Sequence, residues 1–190
     1  MFIVLMGSPG CGKGTQSVKL VELLGIPHLS TGEILRQMAQ VDSPSGRELA
    51  DCLNQGKLVS DKLIVQLVTE RMLQPDCQQG CLLDGVPRNI PQARSLDQLL
   101  ATNGRAVDVA VEMRVDEEEL FTRLLRRAEQ EGRSDDNSET VRRRMEVYHR
   151  DTAPILEHYR RQKKLQSIDA VGTPAAVFER IKAVLNRGEV

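Results

Sequence analysis

Residues 7–13, Gly7-Ser8-Pro9-Gly10-Cys11-Gly12-Lys13, carry the spacing G-x-x-x-x-G-K directly after the apolar run Phe2-Ile3-Val4-Leu5-Met6. In that spacing glycines let successive backbone N–H groups turn inward on phosphate oxygens, and the lysine ammonium reaches the terminal phosphates. A strand-length run with no polar residue predicts a central parallel strand buried on both faces. From Lys13 to Leu24 the apolar residues Val18, Val21 and Leu24 fall at helical spacing. A helix is therefore expected to open at the lysine and to add its positive end to the loop. An ordinary glycine-rich turn is the alternative, and it leaves the strand before and the helix after unexplained. One departure stands out: Gly14 occupies the place where Ser or Thr usually follows the lysine, and Thr15 comes one residue later.

The same strand–helix rhythm continues. Strand-like runs recur at 81–84, 107–113 and 165–168, with a short one at 27–29, each separated by helical patterns. Such alternation predicts an α/β fold of three α/β/α layers around a five-stranded parallel sheet, and with the loop at 7–13 it resembles the phosphate-loop (P-loop) NTPase type. Two segments break the rhythm. Residues 30–73 read as helices only: Ser30 with Glu33 makes a capping box, Ser43-Pro44 is a cap with a first-turn proline, and Ser60-Asp61 starts a third helix. A helical insertion over 30–59 is expected, with a flanking helix to 73. Residues 129–139 are polar, with Gly132 inside Glu131-Gly132-Arg133-Ser134-Asp135-Asp136-Asn137, and predict an exposed loop, a short lid over 128–137. The core is then 1–29, 74–127 and 138–190. Gly172-Thr173-Pro174 stops one element and caps a final helix running to Leu185. No repeat or low-complexity linker divides the chain, so a single unit is expected.

Charge and cysteines bound the partners. Lys plus Arg total 26 against 27 Asp plus Glu, and aromatic residues make up only 3%. That balance offers no basic field or stacking platform for nucleic acid, and points to small molecules. No apolar run approaches the roughly 20 residues that span a bilayer, and the N-terminal run lacks basic residues ahead of it, so a soluble cytoplasmic protein is expected. Cys11, Cys52, Cys77 and Cys81 lack paired C-x-x-C spacing, and no structural zinc is expected.

Arginine placement carries the next signal. After Asp116, apolar Leu120, Leu124 and Ala128 mark an inner helix face that Arg123 and Arg127 flank; Arg144 lies on the apolar side of the following helix, near Val141 and Tyr148. Inward arginines bind an anionic ligand or pair with carboxylates, and each residue alone allows both. Asp84, in Leu82-Leu83-Asp84-Gly85, ends a strand where phosphate-loop enzymes place an acid that holds magnesium or its waters; Asp-Gly is equally a turn signal. Asn89 predicts an N-cap, and Gln92 three residues on could be its capping-box partner. His28, His149 and His158 stand isolated in the sequence and read as structural.

Taken together, these motifs resemble the nucleoside monophosphate kinases, most closely adenylate kinases of the short-lid type. The resemblance rests on residues 7–15, Ser30-Thr31-Gly32-Glu33-Ile34-Leu35-Arg36, Gly56-Lys57-Leu58-Val59, Leu83-Asp84-Gly85-Val86-Pro87-Arg88, Gln92, 132–137 and Arg144, in family order over nearly the whole chain. It implies an ATP site made by Gly10, Cys11, Gly12, Lys13, Gly14 and Thr15, with Arg123 and Arg127 on the phosphates and Gly172 near the adenine. It implies an AMP site in which Thr31 and the backbone of Leu58, Val59 and Ser60 lie near the base. Arg36 and Arg88, on the loop Gly85-Val86-Pro87, would take the AMP phosphate, Gln92 the adenine edge, and Arg133 and Arg144 the transferring group. Lys13, Arg88, Arg127, Arg133 and Arg144 are thus the implied catalytic set, Asp84 holding Mg2+ through water. Val86 replaces the family's usual aromatic and Ser60 a frequent proline; the lost aromatic removes a contact that favours a cis bond at Pro87. The implied reaction is reversible, Mg-dependent phosphoryl transfer from ATP to AMP; a monomer is expected, since no apolar surface stripe is evident in the sequence. Thr31 and Gln92 disfavour a uridylate or cytidylate kinase. A nucleotide-dependent switch or binding module of the GTPase sort would need an Asn-Lys-x-Asp motif that the sequence lacks.

Overall fold

A computed structural model describes residues 1–131 and 137–186. Five strands, β1 (Phe2–Met6), β2 (His28–Ser30), β3 (Cys81–Asp84), β4 (Val109–Arg114) and β5 (Leu165–Asp169), form one parallel sheet in the order β2-β3-β1-β4-β5. All five β1 residues are buried, as a continuous apolar run in a central strand requires. Its side chains alternate between two cores. Phe2, Val4 and Met6 pack on one face with Leu35, Ile64, Leu96 and Tyr159. Ile3 and Leu5 pack on the other with Leu20, Leu120 and Ile181. Period-2 alternation with both faces apolar accounts for helices on both sides.

Helix α1 (Lys13–Leu24) opens at the lysine, and of its expected apolar positions Val21 and Leu24 pack against the core while Val18 does not. Val18 is 69% exposed, while Gln16, Ser17 and Leu20 turn to the sheet. Small Ser17 can approach the sheet closely because its hydroxyl donates to Lys13 O at 2.9 Å. After β2 come α2 (Thr31–Ala39), α3 (Pro44–Asn54) and α4 (Asp61–Met72) with no strand between them. Ser30 and Ser43 cap as their spacing predicts: each hydroxyl accepts the N–H three residues on, from Glu33 and Gly46. Ser60 sits at the N-cap of α4 without making a side-chain cap. Helices α5 (Ile90–Ala101), α6 (Glu117–Glu131), α7 (Ser138–Val147), α8 (Pro154–Arg161) and α9 (Pro174–Leu185) complete the chain, with a wide π-turn, Tyr148–Thr152, joining α7 to α8.

Two strand boundaries shift for identifiable reasons. β2 starts at His28 because Pro27 has no N–H for the ladder, although its carbonyl accepts from Leu82 N–H at 2.9 Å. β4 starts at Val109 because Asp108 turns its carboxylate onto Phe2 N–H at 2.5 Å. Among the described residues, no helix is long and apolar enough to cross a membrane.

Candidate functional site

The register of the sheet assembles the site. Ser30 pairs with Asp84, and Asp84 with Leu5, so the C-terminal ends of β2, β3 and β1 lie side by side. In open α/β sheets that edge is where ligands bind. A cleft of about 700 Å3 opens there.

The loop after β1 forms its floor. Gly10 (φ 85°) packs so tightly on α6 that a Cβ there would lie 2.8 Å from Leu124 Cγ. Gly12 (φ 98°) is the N-cap of α1 and supplies no side-chain cap, which leaves the first-turn N–H groups to face the cleft. Lys13 curls back over the loop, its Nζ donating to Gly7 O at 2.7 Å and Ser8 O at 3.3 Å. Gly10, Cys11, Gly12, Lys13, Gly14 and Thr15 all line the cleft, though the Cys11 side chain itself is buried.

Around that floor the structure gathers residues from distant parts of the chain. Arg36 from α2, Arg88 and Pro87 from the loop after β3, Arg123 and Arg127 from α6, Arg144 from α7 and Gly172 all line the cleft. Arg123 reaches it already engaged, with Nε on Glu119 Oε1 at 2.8 Å and its terminal nitrogens on Ala170 O at 3.3 Å. α7 is set against the end of α3 by the Thr140 hydroxyl, which donates to Asn54 O at 2.9 Å. This brings Arg144 beside Gly56, where a Cβ would meet Arg144 Cγ at 3.0 Å. Arg133 lies outside the described residues.

Asp84 lines the cleft from the end of β3. Burial works against its charge, but the neighbouring His28 imidazole and the Lys13 and Arg88 cations outweigh it and hold the carboxyl below its ordinary range. His28, read from the sequence as isolated, lies 3.6 Å from Asp84 through the parallel pairing of β2 and β3. Nothing local signals that contact. An acid kept ionised beside phosphate-binding donors suits a hard divalent cation and its waters.

An adjoining pocket of about 50 Å3 shares Gly32, Arg36, Leu58, Gly85 and Arg88 with the cleft, and is walled further by Leu35, Leu53, Val59 and Gln92. Gln92 closes the N-terminus of α5. Its N–H donates to Asn89 Oδ1 at 2.9 Å, and its Oε1 accepts from Arg88 N–H at 2.8 Å. Thr31 lines neither cavity; it is buried below Gly85, its hydroxyl 3.4 Å from Asp84 O. Ser60 is exposed and outside both cavities. Val86 is 3% exposed, in the core with Leu29 and Leu83. The Val86–Pro87 bond is cis. Sequence reasoning passed over Tyr148 and Thr152. Tyr148 lines the cleft, and the Thr152 hydroxyl donates to Arg88 O at 2.8 Å, tying the π-turn to the arginine loop.

The family model described as adenylate kinase matches residues 5–164. The chain belongs to the adenylate kinase family. An adenylate kinase of Maricaulis maris is 43% identical over 185 residues, covering 97% of this chain and 98% of the relative. One from Xanthomonas euvesicatoria is 43% identical over 187 residues, 98% of this chain and 100% of the relative. One from Phocaeicola vulgatus is 40% identical over 185 residues, 97% of this chain and 98% of the relative. In this adenylate kinase family member the phosphate loop and the arginines come from segments far apart in the chain, and the sheet edge unites them.

Proposed function

We propose that the protein transfers the γ-phosphoryl group of ATP to AMP, reversibly, giving two ADP. The observation that carries this reading is the cleft itself: one cavity lined by the phosphate loop, Asp84, and arginines from α2, the β3–α5 loop, α6 and α7. Two polyanions meeting there require that many cations. Phosphoryl transfer spreads charge over the equatorial oxygens in line with attacking and leaving oxygens, so positioned cations suffice and no covalent nucleophile is needed.

In this reading the loop 10–15 binds the ATP phosphates, with Lys13 leaving its own carbonyl partners for phosphate oxygens. Arg123 and Arg127 hold the donor from α6, and Gly172 lies near its adenine. Arg36 and Arg88 hold the AMP phosphate, which attacks the γ-phosphorus, while Arg144 and Arg133 bridge to the group in transit. The segments 30–59 and 128–137 act as acceptor-binding insertion and lid, excluding water that would otherwise be the acceptor. Asp84 fits Mg2+ held through water, and the bound ion would supply further neutralisation of phosphate charge. In the same reading Leu58, Val59, Gly85 and Gln92 form the base pocket, with Pro87 beside it and Val86 supporting the loop from the core. Thr31 and Ser60 contribute indirectly, from below and outside. The reading brings with it a monomer in the cytoplasm, without zinc.

A coupled assay across AMP, CMP, UMP and GMP tests the reading. ATP consumption should depend on the monophosphate and be fastest with AMP. Faster turnover of CMP or UMP would transfer the assignment to a pyrimidine nucleotide kinase, and consumption without any acceptor would indicate a switch.

A further inference from the structure

Both ends of the Gln92 amide are engaged inside the protein. Oε1 accepts from Arg88 backbone N–H at 2.8 Å, and Nε2 donates to Asp61 Oδ1 at 2.7 Å. A backbone N–H can only donate and a carboxylate can only accept, so these two neighbours dictate which end of the amide is oxygen. Turning the amide over would set NH2 against N–H and carbonyl oxygen against carboxylate. The Asp61 oxygen is itself held: it also accepts from Asn89 Nδ2 at 2.8 Å, while Asn89 Oδ1 takes Gln92 N–H at 2.9 Å. Asp61 is the first residue of α4, so the lock joins the start of α4 to the start of α5.

The amide retains one N–H on Nε2 and one lone pair on Oε1. Gln92 walls the small pocket next to Leu58 and Val59. Adenine offers an acceptor at N1 beside a donor at the 6-amino group. A 6-oxopurine offers the reverse, a donor at N1–H and an acceptor at O6. An amide fixed in one orientation matches the first pattern and opposes the second, whereas an amide free to turn would match either. We propose that Asp61 is a specificity-determining positioning residue: by accepting from Nε2 it fixes the Gln92 amide and so makes the site favour a 6-aminopurine monophosphate over a 6-oxopurine one. The inference rests on the reading that Gln92 faces the acceptor base. A carboxylate that only stabilises the N-terminus of α4 would influence melting and leave base ranking alone.

The test compares Asp61→Asn, which keeps shape but replaces the charged oxygen shared by Gln92 and Asn89 with a weaker neutral acceptor, with Gln92→Ala, using AMP and IMP as acceptors at saturating ATP. Melting temperatures are recorded for both variants. Asp61→Asn should shrink the AMP-over-IMP ratio of kcat/KM by about tenfold, the scale of one mispaired buried hydrogen bond, chiefly through a lower KM for IMP. Asp61→Glu, which restores a carboxylate, should recover much of the preference. Should the asparagine variant fold poorly, equilibrium binding of AMP and IMP to Asp61→Ala, which leaves Gln92 Nε2 without its acceptor, reads the same ratio against wild type. An unchanged ratio in Asp61→Asn, with the preference lost in Gln92→Ala, overturns the role of Asp61 and leaves Gln92 as base reader. An unchanged ratio in Gln92→Ala overturns the base reading and this proposal with it. Equal losses for AMP and IMP with a lower melting temperature make Asp61 a helix-terminus residue only, which also overturns it.

Discussion

Lys13 is the residue at which effects on chemistry and on folding are expected to separate. Its Nζ rests on carbonyls of its own loop, Gly7 O and Ser8 O, and the side chain is half-buried. Removing that ammonium leaves those carbonyls at the mouth of a wet cleft, so the stability cost is small. The transition state, by contrast, loses a cation placed where charge develops. Lys13→Met is therefore expected to lower kcat by about two to three orders of magnitude or more, with the circular dichroism spectrum and melting curve close to wild type. Near-normal turnover in the folded variant would remove Lys13 from the mechanism. At the same scale the sequence conveys less about His28. It is polar, short of motif neighbours, and becomes meaningful only when β2 pairs with β3 and sets it 3.6 Å from Asp84.

Elements were legible where their signals are local. Ser43-Pro44 announces α3, and the Ser43 hydroxyl does accept Gly46 N–H at 3.0 Å. Ser43→Ala should cost about 1 kcal/mol, a fall in melting temperature of about 2–4 °C, without changing the preference among acceptors. A thermal melt indistinguishable from wild type would mean that the cap contributes nothing. The strands β1 and β3 were readable to the residue because a buried parallel strand needs an unbroken apolar run. Pro154 marks the start of α8 in the sequence, but nothing local marks the wide turn at Tyr148–Thr152 that joins it to α7. α8 also buries a feature that no pattern shows. The Tyr159 hydroxyl is fully buried with no hydrogen-bond partner among the described residues. Burial and the nearby Asp97 charge both push its ionisation far upward, so it stays neutral. An unmade hydrogen bond in the core is a standing cost. Tyr159→Phe should accordingly leave the melting temperature unchanged or raise it by a few degrees; a fall of more than about 4 °C would show that the hydroxyl is satisfied.

Across the whole molecule, the sheet converts a scattered set of residues into a site. The phosphate loop was readable because all its parts are contiguous. The arginines were readable as inward-facing, yet whether each bound a ligand or a carboxylate stayed open along the chain. Their shared cleft at the C-terminal sheet edge puts Arg36, Arg88, Arg127 and Arg144 within reach of one anionic ligand, and Arg123, which also lines it, holds Glu119. The contacts that refine the site, Asp61 with Gln92 and Thr152 with the Arg88 loop, join segments that sequence spacing cannot bring together. The central claim is that this cleft holds ATP and AMP together and passes the γ-phosphoryl group directly between them. Phosphorus-31 NMR of the protein with ATP and Mg2+, before and after AMP is added, tests it most directly. ATP should persist without AMP, and on its addition the γ and AMP resonances should fall together as ADP grows at two per AMP consumed. Inorganic phosphate accumulating in place of ADP, or γ-phosphate loss before AMP is present, would contradict the account.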